Sequence, residues 1–296
     1  MARTVSTTTH IQTSAARGMM RDPLKVVSLV VSYGIVLCAM AVIGMPLYWM
    51  ATGSLKTLQE IYQIPPLWWV SAPHWDNYVT AWHKAPFGRF YVNSVLTTVV
   101  GCTIKLFNAV FTAYALAFLK VRGRNALFVA MLAALMIPPE VAVLPNYLTI
   151  AKLGWVNTYQ GLILPGAGVA FVTFLLRQNF LSLPLEVLEA AVMDGAGHLR
   201  RLWSVVLPMS RPALATSALL LVESKWNEFL WPLVATSIQQ MRTLPVGLAF
   251  LVAQETQVEW HIVMAGALFV IAPVLLFFLL VQRQLVAGLT AGAVKG

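Results

Sequence analysis

The sequence predicts an all-α integral membrane protein with six transmembrane helices, and three observations predict it. Of its 296 residues, 59% are hydrophobic and only 10% are charged, against the roughly 25% charged residues of ordinary soluble domains. The apolar residues lie in continuous blocks, which suits helices in lipid, where each backbone polar group must be satisfied within its own segment. The alternation that a β-barrel needs is missing. Third, Lys and Arg are unevenly shared between the segments that join the blocks.

Six blocks are long enough to cross a hydrocarbon core of about 30 Å, which takes roughly 20 helical residues. They run from Val26 to Trp49, Phe90 to Leu119, Leu127 to Tyr147, Gly161 to Phe180, Pro212 to Val234 and Val263 to Val281. Residues 1–25 form an N-terminal tail rich in Ser and Thr with Arg3, Arg17, Arg21 and Lys25, and contain no apolar core of their own. That pattern and the length of the first block argue against a cleaved signal peptide. Residues 26–287 are then a transmembrane domain, interrupted by a polar segment at 182–211, and 288–296 are a C-terminal tail. Cys38 and Cys102 both sit inside apolar blocks, so neither a disulfide framework nor a metal site is indicated.

The N-terminal tail, the second-to-third loop (Lys120, Arg122, Arg124), the fourth-to-fifth segment with its edges (Arg177, Arg200, Arg201, Arg211) and the C-terminus (Arg283, Lys295) hold thirteen basic residues, while the alternate loops hold five, Lys56, Lys84, Arg89, Lys152 and Arg242. The positive-inside rule places both termini and the Arg200 segment in the cytoplasm. The formal charge of +9 therefore reflects topology. No dense basic run interleaved with aromatics points to nucleic acid. Outside lies a long first loop, from Ser54 to Arg89, with Trp68, Trp69, Trp75 and Trp82, which fit an aromatic interface belt or a lid over a pore.

Ionisable residues in a bilayer are costly and normally face a bundle interior or an aqueous cavity. Lys105 lies mid-block, Glu140 follows Pro138 and Pro139, and Glu223, Lys225, Asn227 and Glu228 cluster in the fifth block. Two successive prolines remove two backbone donors and break a helix. Glu228, three residues beyond Lys225, is spaced to pair with it. Glu140, Asn146, Asn227 and Glu228 are the candidates for a solute path; helix–helix glue or snorkelling to the interface is the alternative role for these charges.

The segment from Leu183 to Pro208 carries the most information. Ser182 can cap a helix, Pro184 suits a first turn, and Glu186 and Glu189 favour the positive end of the helix dipole. Leu185, Leu188, Ala191 and Val192 share one face, and Asp194 with Gly195 supplies a stop. A second short helix is expected from about His198 to just before Pro208. Such a hairpin suits docking into a partner's groove; lying on lipid is the alternative, against which the acidic first turn argues.

The run Glu189-Ala190-Ala191, Asp194-Gly195-Ala196, then Trp203, Val206, Pro208 and Pro212, resembles the EAA loop of the permease subunits of ATP-binding-cassette importers. Asn93-Ser94, Leu153-Gly154, Asn157-Thr158, Trp226-Asn227-Glu228-Phe229, Thr243-Leu244-Pro245 and the ending from Gln282 to Gly296 are similar to carbohydrate importers of that class, the maltose and glycerol-phosphate systems among them. Gly197, where Ser is frequent, and His198 after it are a small departure.

The resemblance implies a type I importer permease fold, a heterodimeric pore with a second permease, two ATP-binding subunits and an external solute-binding protein. In that family the EAA helix sits in a cleft of the ATPase, so Glu189, Ala190, Ala191, Asp194, Gly195, Ala196 and Pro208 are the expected coupling residues. The chain has no Gly-rich phosphate loop ending in Gly-Lys-Ser/Thr, so ATP and Mg²⁺ are expected on the partners, with no cofactor bound here and no enzymatic activity. The expected cargo is a sugar or oligosaccharide, or alternatively glycerol phosphate or another polyol derivative. The competing classes are an ion-coupled transporter using Lys105, Glu140 and Glu228, for which no inverted repeat is visible, and a membrane enzyme, for which no nucleophile or ligand cluster is visible.

Overall fold

The computed structural model describes residues 23–166, 168–253 and 258–293. Most of the expected N-terminal tail, and the last three residues of the expected 288–296 tail, lie outside them. The chain forms two compact units that meet in sequence between His74 and Trp75.

The first unit is built on α1 (Pro23–Gly53), whose most apolar 18-residue stretch has a mean hydropathy of 2.6. Pro46 lies within it without ending it. A short helix α2 (Leu58–Tyr62) follows, and it starts where the sequence dictates. The Thr57 hydroxyl accepts from the Glu60 N–H, and the Glu60 carboxylate accepts from the Thr57 N–H, a reciprocal cap of two otherwise orphaned donors. The segment after α2 returns to the end of α1: the Tyr48 hydroxyl donates to the Trp68 carbonyl at 2.6 Å, and Trp68 meets Trp49 edge-on at 5.6 Å. Lys56 is buried, donates to the Leu67 carbonyl and lies 4.7 Å above the Trp49 ring.

The second unit begins with α3 (Asp76–Lys84) and α4 (Phe87–Phe118). There follow α5 (Arg124–Ala134), α6 (Val143–Lys152), α7 (Tyr159–Ile163), α8 (Ala170–Leu181), α9 (Leu185–Met193) and α10 (His198–Met209). The chain ends with α11 (Arg211–Trp226), α12 (Leu230–Ala235), α13 (Leu244–Ala253) and α14 (Trp260–Ala293). Helix α4 is the hub, packing against α8, α11 and α13, while α11 and α13 both lean on α14. Its sequence explains this. Ala109, Ala113 and Ala117, spaced by four, form a low ridge on which Val172, Leu176 and Phe180 of α8 come close.

By length and composition α1, α4 and α14 can each cross a membrane alone, and two bent pairs make up to five candidate spans among the described residues. The expected third block is one such pair. α5 and the Pro139–Lys152 segment meet at 92° around Pro138 and Pro139, as the double proline predicts. The expected fourth block, from Gly161 to Phe180, is not one rod: α7 ends at Ile163 and α8 begins at Ala170. Pro165 and Gly166 disfavour helix, and a hydropathy window does not see them. The expected fifth block is likewise split, into α11 and α12, at Asn227–Phe229.

Two further expectations need correction. Ser182 does not cap α9, which has Pro184 at its N-cap; the Ser182 hydroxyl donates back to Asn179 at 2.8 Å, ending α8. The second loop helix does not stop before Pro208 but continues to Met209. A widened turn over Leu202–Val206, in which the Leu207 N–H reaches the Leu202 carbonyl, relaxes the carbonyls that the proline ring would meet. The chain then turns by 84° into α11.

Candidate functional site

Three helix breaks meet at a cavity of about 330 Å³. Pro139, Glu140, Val143 and Asn146 line it from the kinked segment, Pro165 and Gly166 from the α7–α8 break, and Glu228, Phe229, Leu230 and Trp231 from the α11–α12 break. Broken helices at membrane depth are tolerated where the freed backbone groups find protein or water. Lys225 is the main local donor. Its side chain is 3% exposed; Nζ donates to the Leu162 carbonyl at 3.0 Å and to Glu228 Oε2 at 2.5 Å. Gly101 of α4 leaves room for its stem, since a Cβ there would lie 3.5 Å from Lys225 Cε. Lys105 lies one turn further along α4 from Gly101. Trp231 closes one wall, its Nε1–H donating to the Gly161 carbonyl at 3.1 Å.

Glu140 and Asn146 thus share one cavity with Glu228, which is far from both in sequence. Asn227 does not line it: its amide donates to Glu223 Oε1 at 3.0 Å, one turn back on α11. Phe229, Leu230 and Trp231 were not foreseen there, and only the helix break at Asn227 signals them.

Two asparagines hold the loop after α12. Asn93 of α4 is fully buried; Nδ2 donates to the Gln240 and Arg242 carbonyls at 2.8 and 2.9 Å, and Oδ1 accepts from the Tyr159 hydroxyl at 2.7 Å. The adjacent Ser94 hydroxyl accepts from the Leu244 N–H at 2.8 Å. Asn157, with φ of 60°, accepts from the Ser237 and Ile238 N–H groups. The short motifs around residues 93, 157 and 243 are therefore one network.

The hairpin of α9 and α10 is a second site. α9 is anchored by Leu188, which is buried with Leu202 and Val206 of α10 against α4 and α8. Glu189 and Ala190 are exposed, and Ala191 and Ala196 are half-buried. The stop is a two-bond cap: the Ala196 N–H reaches the Ala191 carbonyl and the Gly195 N–H reaches the Val192 carbonyl, both at 2.9 Å. This cap needs a left-handed residue, and Gly195 has φ of 75°. Asp194 is exposed at the C-cap, and Pro208 is exposed near the end of α10. The exposed side of α9 thus presents the acidic Glu189 beside the small Ala190.

An all-helical membrane bundle with broken helices around a cavity that holds Glu140, Asn146 and Glu228, carrying an exposed helical hairpin, is the architecture of a solute permease. The chain matches the family model described as "Binding-protein-dependent transport system inner membrane component" over residues 108–290, and it belongs to that family: it is an inner-membrane permease subunit of an ABC importer and not an enzyme. It is 37% identical over 222 residues to the arabinooligosaccharides transport system permease protein AraQ of Halalkalibacterium halodurans, covering 75% of this chain and 79% of that one. It is 34% identical over 252 residues to the sn-glycerol-3-phosphate transport system permease protein UgpE of Yersinia enterocolitica, covering 82% and 89%. A chain of the crystal structure of a bacterial ABC transporter involved in the import of the acidic polysaccharide alginate superposes with a TM-score of 0.76 at 25% identity, covering 95% and 99%.

Proposed function

We propose that this permease forms half of a translocation pore for a sugar or oligosaccharide delivered by an external binding protein, with a second permease as the other half. Two ATP-binding subunits, carrying ATP and Mg²⁺, drive it from the cytoplasm through the α9 hairpin, and this chain itself holds no cofactor. The observation that carries the reading is the hairpin: Leu188 fixes α9 to the bundle while Glu189, Ala190 and Asp194 stay exposed. In this reading six segments cross the membrane, the α7–α8 pair supplying the fourth, with both termini and the 182–211 loop in the cytoplasm. Glu140, Asn146 and Glu228 are the proposed solute contacts, suited to hydroxyl groups by hydrogen bonding and to sugar rings through Trp231. Relatives named for an arabinooligosaccharide and for glycerol phosphate support a polyhydroxylated cargo, glycerol phosphate being the alternative.

The test is uptake into proteoliposomes containing the assembled importer and its binding protein. Uptake of a labelled oligosaccharide that needs internal ATP and persists without an ion gradient is the expected result. Uptake that follows the ion gradient without ATP overturns the mechanism, and uptake of glycerol phosphate alone moves the cargo to the alternative.

A further inference from the structure

His198 stands where the loop departs from the family pattern, and its side chain reaches outside the loop. Gly197 is the N-cap of α10 and makes no side-chain capping bond. The imidazole makes the connection instead. His198 Nδ1 lies 2.6 Å from Arg201 Nη2 and 3.4 Å from the hydroxyl of Tyr114 on α4. The two rings stand edge to face with centroids 6.2 Å apart. A guanidinium can only donate, so Nδ1 is an acceptor, and its single lone pair is held mainly by Arg201, with the Tyr114 hydroxyl as a longer, shared polar contact to the same atom. Tyr114 is buried in the cluster that also receives Leu202 and Val206.

This contact matters because of what the chain itself connects. The loop continues into α8 on one side and α11 on the other. Neither end joins it covalently to α4, the helix on which α8, α11 and α13 pack. Apolar contacts such as Leu202 against α4 hold the elements together, and the contact of His198 with Tyr114 adds a directional polar one at the ring edge. We propose that His198 is a positioning residue that latches α10 to α4 at Tyr114, so that a displacement of the loop is passed directly to α4. The proposal rests on the reading of the hairpin as the ATPase-docking element.

The test uses the complete importer in proteoliposomes. Co-purification of the ATP-binding subunits, ATP turnover stimulated by the binding protein, and solute imported per ATP are measured for His198→Ala, His198→Asn and Tyr114→Phe. His198→Ala and Tyr114→Phe keep co-purification and ATP turnover close to wild type, while solute per ATP falls about fivefold, the lower end of coupling between sites. His198→Asn, whose side-chain oxygen can accept from the same donors, regains most of the loss. Unchanged solute per ATP in His198→Ala and Tyr114→Phe overturns the latch. So does a loss in His198→Ala that Asn does not restore, since only bulk is then at stake. Loss of co-purification in His198→Ala alone also overturns it, because His198 would then face the ATPase. Glu189→Lys measured beside them reports separately on docking: normal co-purification there removes the docking reading, whatever the His198 variants do.

Discussion

Lys225 and Glu228 form an ion pair at 2.5 Å across the break between α11 and α12, and the same ammonium donates to the carbonyl of Leu162 at 3.0 Å. One buried cation therefore closes two of the three breaks around the cavity. Lys225→Met keeps the length of the stem but leaves the Glu228 carboxylate and the Leu162 carbonyl without their donor. Removing one partner of a buried pair costs about 3–5 kcal/mol, and the lower figure applies because Glu228 is partly exposed. Thermal unfolding of the purified permease is expected to show that loss, with Glu228→Gln milder and the double variant Lys225→Met/Glu228→Gln partly recovered. Additive losses would show that the two residues act independently.

A second prediction concerns the approach of α13 to α4. Gly247 lies against the ring of Phe90, and a Cβ at 247 would overlap it. Phe90 is buried with Phe87, Trp226 and Leu244, so the ring has nowhere to retreat. Gly247→Ala is expected to destabilise by about 1–3 kcal/mol through overpacking. Gly266→Ala, whose added atom meets only side-chain ends at 3.2 Å, is the milder comparison. Equal melting temperatures for the two variants would contradict the close approach.

What the sequence made legible follows a physical division. Pro138-Pro139 announced the 92° break, and the spacing of Lys225 and Glu228 announced their pairing, because both are local. Pro165 and Gly166 were hidden inside an apolar block, since hydropathy counts side chains while the break is a backbone property. Ser182 looked like a cap for α9 on composition, but its hydroxyl turned back to α8. The sharing of one cavity by Glu140 and Glu228 depends on how α6 and α12 pack around α7, which no local pattern encodes. The Asn93 and Asn157 motifs were visible as motifs, while their common partner, the 235–244 loop, was not.

A third prediction is a pH effect confined to α2. The Thr57 N–H bonded to the Glu60 carboxylate, with the Thr57 hydroxyl adding to it, holds Glu60 below its ordinary value of 4.5. The folded form therefore binds the proton more weakly than the unfolded form. The stabilisation is complete above about 4.5 and is lost as pH falls through the lower folded value. Carboxyl NMR of the reconstituted protein is expected to show Glu60 titrating below 4.5, with faster amide exchange at Ile61 once it is protonated. Thr57→Pro, which lacks the N–H at a compatible φ of −78°, should return Glu60 towards its ordinary range, whereas Thr57→Ala, which loses only the hydroxyl, should do so in part; an unchanged titration in Thr57→Pro would place the cause elsewhere.

The last prediction concerns Glu189, exposed on α9 beside Ala190 while Leu188 anchors the helix. If α9 docks in a cleft of the ATP-binding subunit, Glu189 loses water there and needs a basic partner. Reversing its charge then removes a pair and sets like charges together, which costs about 2–5 kcal/mol when the groups are desolvated. A carboxylate that stays in water would cost almost nothing, of the order of 0–1 kcal/mol. The two cases differ by at least about fivefold in affinity, which co-purification of the ATPase resolves. Glu189→Lys should leave the bundle inserted, because the side chain contributes nothing to the Leu188, Leu202 and Val206 core. Gly195→Val offers an independent check through the backbone: at φ of 75° a β-branched residue is strained, so the cap on α9 loosens and docking weakens without any change of charge. Reduced co-purification and reduced solute uptake in both variants, with normal membrane insertion, is the expected outcome. Normal values in both would leave α9 without a role in coupling.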